Sequence, residues 1–271
     1  MPELPEVETL RGDLARQGRI VGRRIVGATL LDPQAIFGVA PADFERRLVG
    51  QRFTDLARRG KYLIFGLSGG ESLVVHLKMT GRLFWRRAND PPDSYLRTVF
   101  MLDDGYELRF TDVRKLGRLW LVADAASVVG RLGPDALDPA LDDAAFYGRL
   151  RRRRAPVKAM LMDQGCIAGV GNIYADEALH EAGIHPLRPA SDIGEAEAAR
   201  LLRAVRDVLA RALENRGTSM RDFLDASGQP GRNQDELRVY RRAGQPCRCG
   251  GRIERMVVRG RSAHFCPACQ V

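Results

Sequence analysis

The 271-residue sequence has no apolar run approaching the ~18 residues that a membrane span requires, so no membrane partner is expected. Its first residues, Met1-Pro2-Glu3-Leu4-Pro5-Glu6, lack the basic and apolar regions of a secretory leader, so a cytoplasmic location is expected. Internal repeats are absent. Acidic residues are in deficit: 34 Asp and Glu stand against 43 Lys and Arg, a net charge of +9. That imbalance favours a polyanionic partner, nucleic acid ahead of a membrane surface. From Arg241 to Val271 there are seven arginines and one acid, Glu254. Cysteine is scarce too. Cys166 stands alone and carries no assigned role, while Cys247, Cys249, Cys266 and Cys269 share the last 25 residues. In a reducing compartment such crowding argues against disulfides and for a metal.

The periodicity divides the chain. Residues 3–17 read as a helix, with Val7, Leu10 and Leu14 on one face and Pro5 in the first turn. Residues 20–125 read as β-structure, with strands at Tyr62–Leu67, Ser72–Leu77, Arg82–Arg86, Thr98–Leu102, Glu107–Thr111 and Arg118–Val122. Ser68-Gly69-Gly70, Pro91-Pro92 and Asp103-Asp104-Gly105 supply the turns. Short strands with short links imply an antiparallel sandwich. Residues 131–143 read as a linker. Helical periodicity follows over 144–150, 156–164, 172–182 and 195–215. Residues 217–236 are polar and glycine-rich and read as a mobile loop, and the tail from Pro246 reads as a small β-ribbon. The expected class is α+β with two domains and a short module: a catalytic sandwich over 1–130, a helical domain over 144–240, and a zinc-finger ribbon over 241–271.

Four groups of residues carry chemistry. Pro2 follows Met1, and removal of Met1 leaves a secondary amine able to attack a sugar C1′ and form an iminium. Glu3 is placed to move protons, and Glu6, one turn on, can support the same site. The same residues also make a sound helix start, and the spacing alone leaves both readings open. Lys61, beside Arg58 and Arg59, joins a basic cluster suited to phosphate. Gly165–Asn172 is a glycine-rich turn before a helix whose first N–H groups can hold a phosphate. Finally, C-x-C-x₁₆-C-x₂-C suits one tetrahedral Zn²⁺ held by Cys247, Cys249, Cys266 and Cys269. His264 is near enough in sequence to replace a missing ligand.

These residues sit in recognisable blocks. Met1–Glu8, Gly60–Leu63, His76–Gly81, Asp112–Gly117, Asp163-Gln164 and Ala168–Glu177 resemble, in order, the motifs of bacterial formamidopyrimidine-DNA glycosylases. The resemblance runs over the whole chain. It implies a bifunctional glycosylase and abasic-site lyase acting as a monomer on damaged duplex DNA. The implied substrates are oxidised purines, 8-oxoguanine and formamidopyrimidines, with strand cleavage by β,δ-elimination. It makes Pro2 the Schiff-base nucleophile, Glu3 the acid/base and Lys61 a phosphate contact that assists catalysis. His76, Asn172 and Arg261 become DNA-backbone contacts, and Met79, Arg114 and Leu116 the wedge that fills the gap left by an extruded base. The segment 163–177 becomes a helix–two-turns–helix. The 217–236 loop becomes a lesion cap, with Glu6, Thr218, Ser219, Arg221 and Tyr240 about the pocket and Glu177 structural. Three positions depart from the family pattern: Leu116 replaces the usual Phe, Lys78 the usual Gly, and the first cysteine pair is one residue short. Two other readings stay open, a non-catalytic zinc-ribbon DNA binder and a relative acting on oxidised pyrimidines. Leu4 and the long loop argue against the second.

Overall fold

The computed structural model describes every residue except 17 and 18. The described residues form two units, Met1–Arg131 with Asn215–Arg232, and Leu132–Glu214 with Asn233–Val271.

The first unit opens with α1 (Leu4–Ala15), whose last expected residue, 17, lies outside the described residues. There follow β1 (Ile25–Leu30), β2 (Ile36–Phe37), α2 (Pro41–Leu48), β3 (Phe53–Arg59), β4 (Tyr62–Leu67) and β5 (Ser72–His76). Then come β6 (Gly81–Arg87), β7 (Leu96–Leu102), β8 (Tyr106–Asp112), β9 (Arg118–Val122) and the single turn α3 (Ala126–Val129). The strands make a four-stranded sheet, β1-β7-β8-β6, and a five-stranded sheet, β2-β9-β5-β4-β3. All pairs are antiparallel except β2 with β9. β4 shows why the sheets stack. Its burial alternates, with Leu63, Phe65 and Leu67 turned inward, as a half-buried strand requires. They join Phe100, Leu108 and Phe110 of the other sheet in one core, which Leu10 and Leu14 of α1 also enter.

Within the segment read as strands throughout, α2 is a correction. Only Phe44 and Leu48, four residues apart, are buried in it. Pro41 opens it, Asp43 lies at its positive end, and Arg46 and Arg47 lie at its negative end.

The second unit holds α4 (Asp143–Leu150), α5 (Val157–Met162), α6 (Asn172–Ala182), α7 (Glu195–Glu214) and a two-stranded ribbon, β10 (Glu254–Val258) with β11 (Arg261–Phe265). α7 buries one face, including Leu201, Leu202, Val205, Val208 and Leu209. Residues 132–143, read as linker, dock within this unit: Ala136 is buried and donates to the Ala168 carbonyl at 3.0 Å. The loop residues 217–232, grouped by sequence with the helices, instead pack in the first unit, where Phe223 and Ala226 join the core. Among the described residues no helix is long and apolar enough to cross a membrane.

A buried polar cluster fastens the ribbon to α6. Lys158, fully buried, lies 2.6 Å from Asp176 Oδ1 and donates to the Ser262 carbonyl. Asp176 Oδ2 accepts from the His264 backbone N–H at 2.9 Å and lies 3.1 Å from its Nδ1. Removing one member of such a pair strands the other charge, at a cost of about 3–5 kcal/mol. Asp176→Ala is therefore expected to lose that much in chemical denaturation of the full chain. The double change Lys158→Met with Asp176→Leu should lose clearly less; equal losses would show that the pairing is not what holds the ribbon.

Candidate active site

In the first unit the site begins at the N-terminus. Met1 is 47% exposed, whereas Pro2 and Glu3 are buried. Glu3 is the N-cap of α1 and forms a capping box with Glu6. Its backbone N–H donates to Glu6 Oε2 at 2.7 Å, and the other carboxylate oxygen, Oε1, accepts from Thr218 N at 2.7 Å. Glu6 therefore holds the start of the chain with one oxygen and the root of the 217–236 loop with the other. Glycine is required at that root: Gly217 has φ +84, and a Cβ there would meet Glu6 at 3.0 Å.

Lys61 lies in the two-residue turn between β3 and β4, after Gly60 at φ +56. It is buried, not the solvated lysine that its place in a turn suggests. His76 ends β5, with its ring edge-on to Tyr62 at 4.4 Å. Its Nδ1 accepts from the Lys78 backbone N–H at 2.9 Å, which leaves the ring proton on Nε2. Burial, and then the charges of Lys78, Lys61 and Arg118, push its pKa down to about 3. His76 is thus a neutral donor.

Met79 is half-buried, while Arg114 and Leu116 are exposed, Leu116 by 41%. Asp112 organises them, a residue the sequence reading quoted without a role. Its Oδ1 accepts from Thr80 Oγ1 at 2.5 Å and from Arg114 N at 3.1 Å, and its Oδ2 from Gly117 N at 2.6 Å. One buried carboxylate thereby ties the turn bearing Met79 to the loop bearing Arg114 and Leu116. An Asp at a strand end before exposed residues is the available signal, because its side chain can bind nearby backbone N–H groups.

The loop is less free than its composition suggests. Thr218 is buried, and Arg221 is exposed. Ser219, expected to face a substrate, donates instead to the Phe223 carbonyl at 2.7 Å and accepts from Gly231 N at 2.9 Å.

In the second unit, Asn172 is the first residue of α6, after Gly171 as N-cap. Its Oδ1 is buried without a hydrogen-bond partner. Gln164 closes the preceding turn: its amide donates to the Met162 and Val170 carbonyls at 3.0 and 2.8 Å, and its oxygen accepts from Gly169 N at 3.0 Å. Glu177 accepts from the backbone N–H groups of Arg238, Val239 and Tyr240 at 2.8, 2.9 and 2.8 Å. Burial raises its pKa against those three donors. Tyr240, grouped by sequence with the loop residues, lies in this unit, edge-on to His264 at 5.1 Å.

The four cysteines converge. Their sulfurs lie within 4.8 Å of one another, with Cys247–Cys269 at 3.9 Å and Cys249–Cys266 at 3.5 Å. Sulfurs bound about 2.3 Å from a tetrahedral zinc would stand roughly 3.8 Å apart, so the set fits one ion. The short first pair is accommodated by the turn behind it, where Gly250 has φ +90 and Cys247 N donates to the Gly251 carbonyl at 2.8 Å. A Cβ on Gly251 would meet Cys266 Sγ at 2.9 Å. His264 is no ligand, since Asp176 engages it. His180, which lies outside every sequence motif, stands beside the sulfurs, its Nε2 3.3 Å from Cys247 Sγ. Arg261 starts β11 and is exposed after the tight turn Arg259-Gly260, both residues at positive φ.

Comparisons with known proteins agree with this arrangement. Three family models match: the formamidopyrimidine-DNA glycosylase N-terminal domain over residues 1–119, its H2TH domain over 132–223, and the zinc finger found in FPG and IleRS over 244–271. The formamidopyrimidine-DNA glycosylase of Pelotomaculum thermopropionicum is 45% identical over 275 residues, covering 100% of this chain and 99% of its own. That of Moorella thermoacetica is 48% identical over 261 residues, 94% of each chain. The Lactococcus lactis Fpg, solved in complex with DNA containing an abasic site, superposes with a TM-score of 0.91 at 33% identity, covering 99% of both chains. The chain belongs to the formamidopyrimidine-DNA glycosylase family.

Proposed function

We propose that the protein excises oxidised purines from damaged duplex DNA and then cleaves the strand, using the Pro2 amine as nucleophile. The observation that carries this reading is the pairing of a buried Pro2-Glu3 with an exposed Met1, so that loss of Met1 uncovers an amine already seated beside a carboxylate. The amine attacks C1′ of the extruded nucleotide. The C1′–N bond breaks, the base leaves with a proton, and the sugar ring opens to an iminium on Pro2. Glu3 moves the protons of these steps. The iminium acidifies the C2′ proton, whose loss expels the 3′ phosphate; a second elimination expels the 5′ phosphate, and water releases the sugar remnant from Pro2.

The DNA-contact roles divide by charge. Lys61, Arg114 and Arg261 offer cations to the backbone, and Asn172 and the first N–H groups of α6 hold a phosphate. His76 contributes one uncharged hydrogen bond through Nε2–H. Met79 and Leu116 supply apolar surface to the emptied stack, at an unstacking cost of about a few kcal/mol per step. The oxidised base lies under the 217–236 loop, near Thr218 and Arg221. Zinc, when bound, cross-links the four thiolates and holds the ribbon that presents Arg261.

Borohydride should trap a covalent complex with a duplex containing 8-oxoguanine, and Pro2→Gly should abolish trapping and base release; mass spectrometry of a correctly processed chain that fails to trap would refute the mechanism. Binding isotherms across salt should lose about 0.9 in logarithmic slope for Arg261→Ala, because one phosphate contact no longer releases its counterion. His76→Ala should weaken binding without changing that slope. Because His76 stays neutral well below its ordinary pKa, affinity should gain no contribution from it between pH 8 and 5. Unfolded chains do protonate it below about 6.5, so its contribution to stability should fall as pH drops from there towards 3. An imidazole titrating near neutrality by NMR would contradict both statements. Elemental analysis should find one zinc per chain, and its removal by chelation should cost DNA binding and ribbon order; unchanged binding by metal-free protein would separate the ribbon from recognition.

A further inference from the structure

Arg216 stands immediately before the loop at φ +61, a left-handed conformation disfavoured for any residue with a Cβ. Its Nη2 lies 2.6 Å from Asp13 Oδ2 and 2.6 Å from Asp225 Oδ2. Both carboxylates are buried, and both raise the Arg216 pKa further above its ordinary value. Asp225 uses its other oxygen to accept from Ser227 N and Gln229 N, each at 2.9 Å, which fixes the returning arm of the loop. At the base, Arg232 N donates to the Asn215 carbonyl at 2.8 Å. The two arms touch so closely that a Cβ on Gly231 would lie 2.1 Å from the Gly217 carbonyl oxygen.

Asp13 belongs to α1, as does Glu6, which holds Thr218. Seven residues separate them, two helical turns or about 10 Å along one face. The loop is therefore fastened twice to the helix whose start bears Pro2. The helix does not depend on these ties, since Leu4, Val7, Leu10 and Leu14 are each at most 1% exposed. Among the described residues Phe223 and Ala226 join the loop to the apolar core, and β6 holds its middle through hydrogen bonds from Arg82 Nε to the Asp222 carbonyl and from Trp85 N to the Ala226 carbonyl.

We propose that Arg216, bridging Asp13 and Asp225, is a positioning residue for base excision: it sets the 217–231 loop over the damaged base at a fixed distance from Pro2. The inference rests on the proposed roles of Pro2 and of the loop. Its consequence is selective. Excision needs the base held against the nucleophile, whereas a ready-made abasic site carries no base for the loop to hold.

Single-turnover rates on an 8-oxoguanine duplex and on an abasic duplex test it. Arg216→Gly suits the positive φ and removes the clamp. Asp13→Asn, which leaves the backbone at 216 untouched, is the second variant should the first fold poorly. Both should slow excision about ten- to a hundred-fold, the scale of a displacement near 1 Å. Both should leave abasic-site cleavage and its borohydride trapping within about twofold, a difference too small to reflect lost positioning. Arg216→Lys, which keeps the charge, should recover part of the excision rate. Equal slowing of both reactions, or of neither, overturns the proposal. Deleting apex residues 220–222 separates the layers. If the deletion slows excision but Arg216→Gly does not, the clamp alone fails; if neither does, the loop does not meet the base and the underlying reading fails with it.

Discussion

One buried carboxylate holds the first unit's site together. Glu6 accepts from Glu3 N with one oxygen and from Thr218 N with the other, so two segments 212 residues apart share a single side chain. An acid buried to 1% exposure persists only where donors replace its water. Here those donors are the backbone N–H of Glu3 and the backbone N–H of Thr218 at the loop root. The sandwich beneath supplies rigidity, because the apolar face of α1 is sunk in a core shared by both sheets.

Buried acids are the recurring joint of this protein. Asp112 joins the turn bearing Met79 to the loop bearing Arg114 and Leu116. Glu177 gathers three consecutive N–H groups ahead of the ribbon, and Asp176 binds Lys158 and His264 beneath it. Each directs its acceptors to backbone N–H groups or to a buried cation, and so fixes the segment packed beside it. The net charge of +9 is thus a surface property laid over an interior organised by anions.

What the sequence disclosed follows from the range of the forces involved. Strands β4 and β9 were legible to the residue because their alternation is a local consequence of half-burial. β1 has one buried residue in six, and β3 buries Phe53 and Leu56, three apart rather than two, so neither shows the pattern. The cysteine cluster was legible because metal chemistry constrains residue type, and Pro2-Glu3 because the motif is contiguous. The partners of Ser219, Tyr240 and His264, and the roles of Asp112, His180 and Arg216, have no signature in the sequence, for one reason. What each side chain does is decided by partners that the fold delivers, and no spacing in the chain encodes them. The neutrality of His76 belongs to the same class, since it comes from burial and neighbouring cations.

The Arg216 bridge also limits how such a chain can diverge. Glycine would suit the backbone there most cheaply, yet a glycine would leave Asp13 and Asp225 facing each other with no cation between them. Neutralising either acid alone leaves the other to balance the arginine but releases one of the two segments that it joins. The side chains at 13, 216 and 225 therefore work as one joint, and a change at any of them alters the setting of the other two.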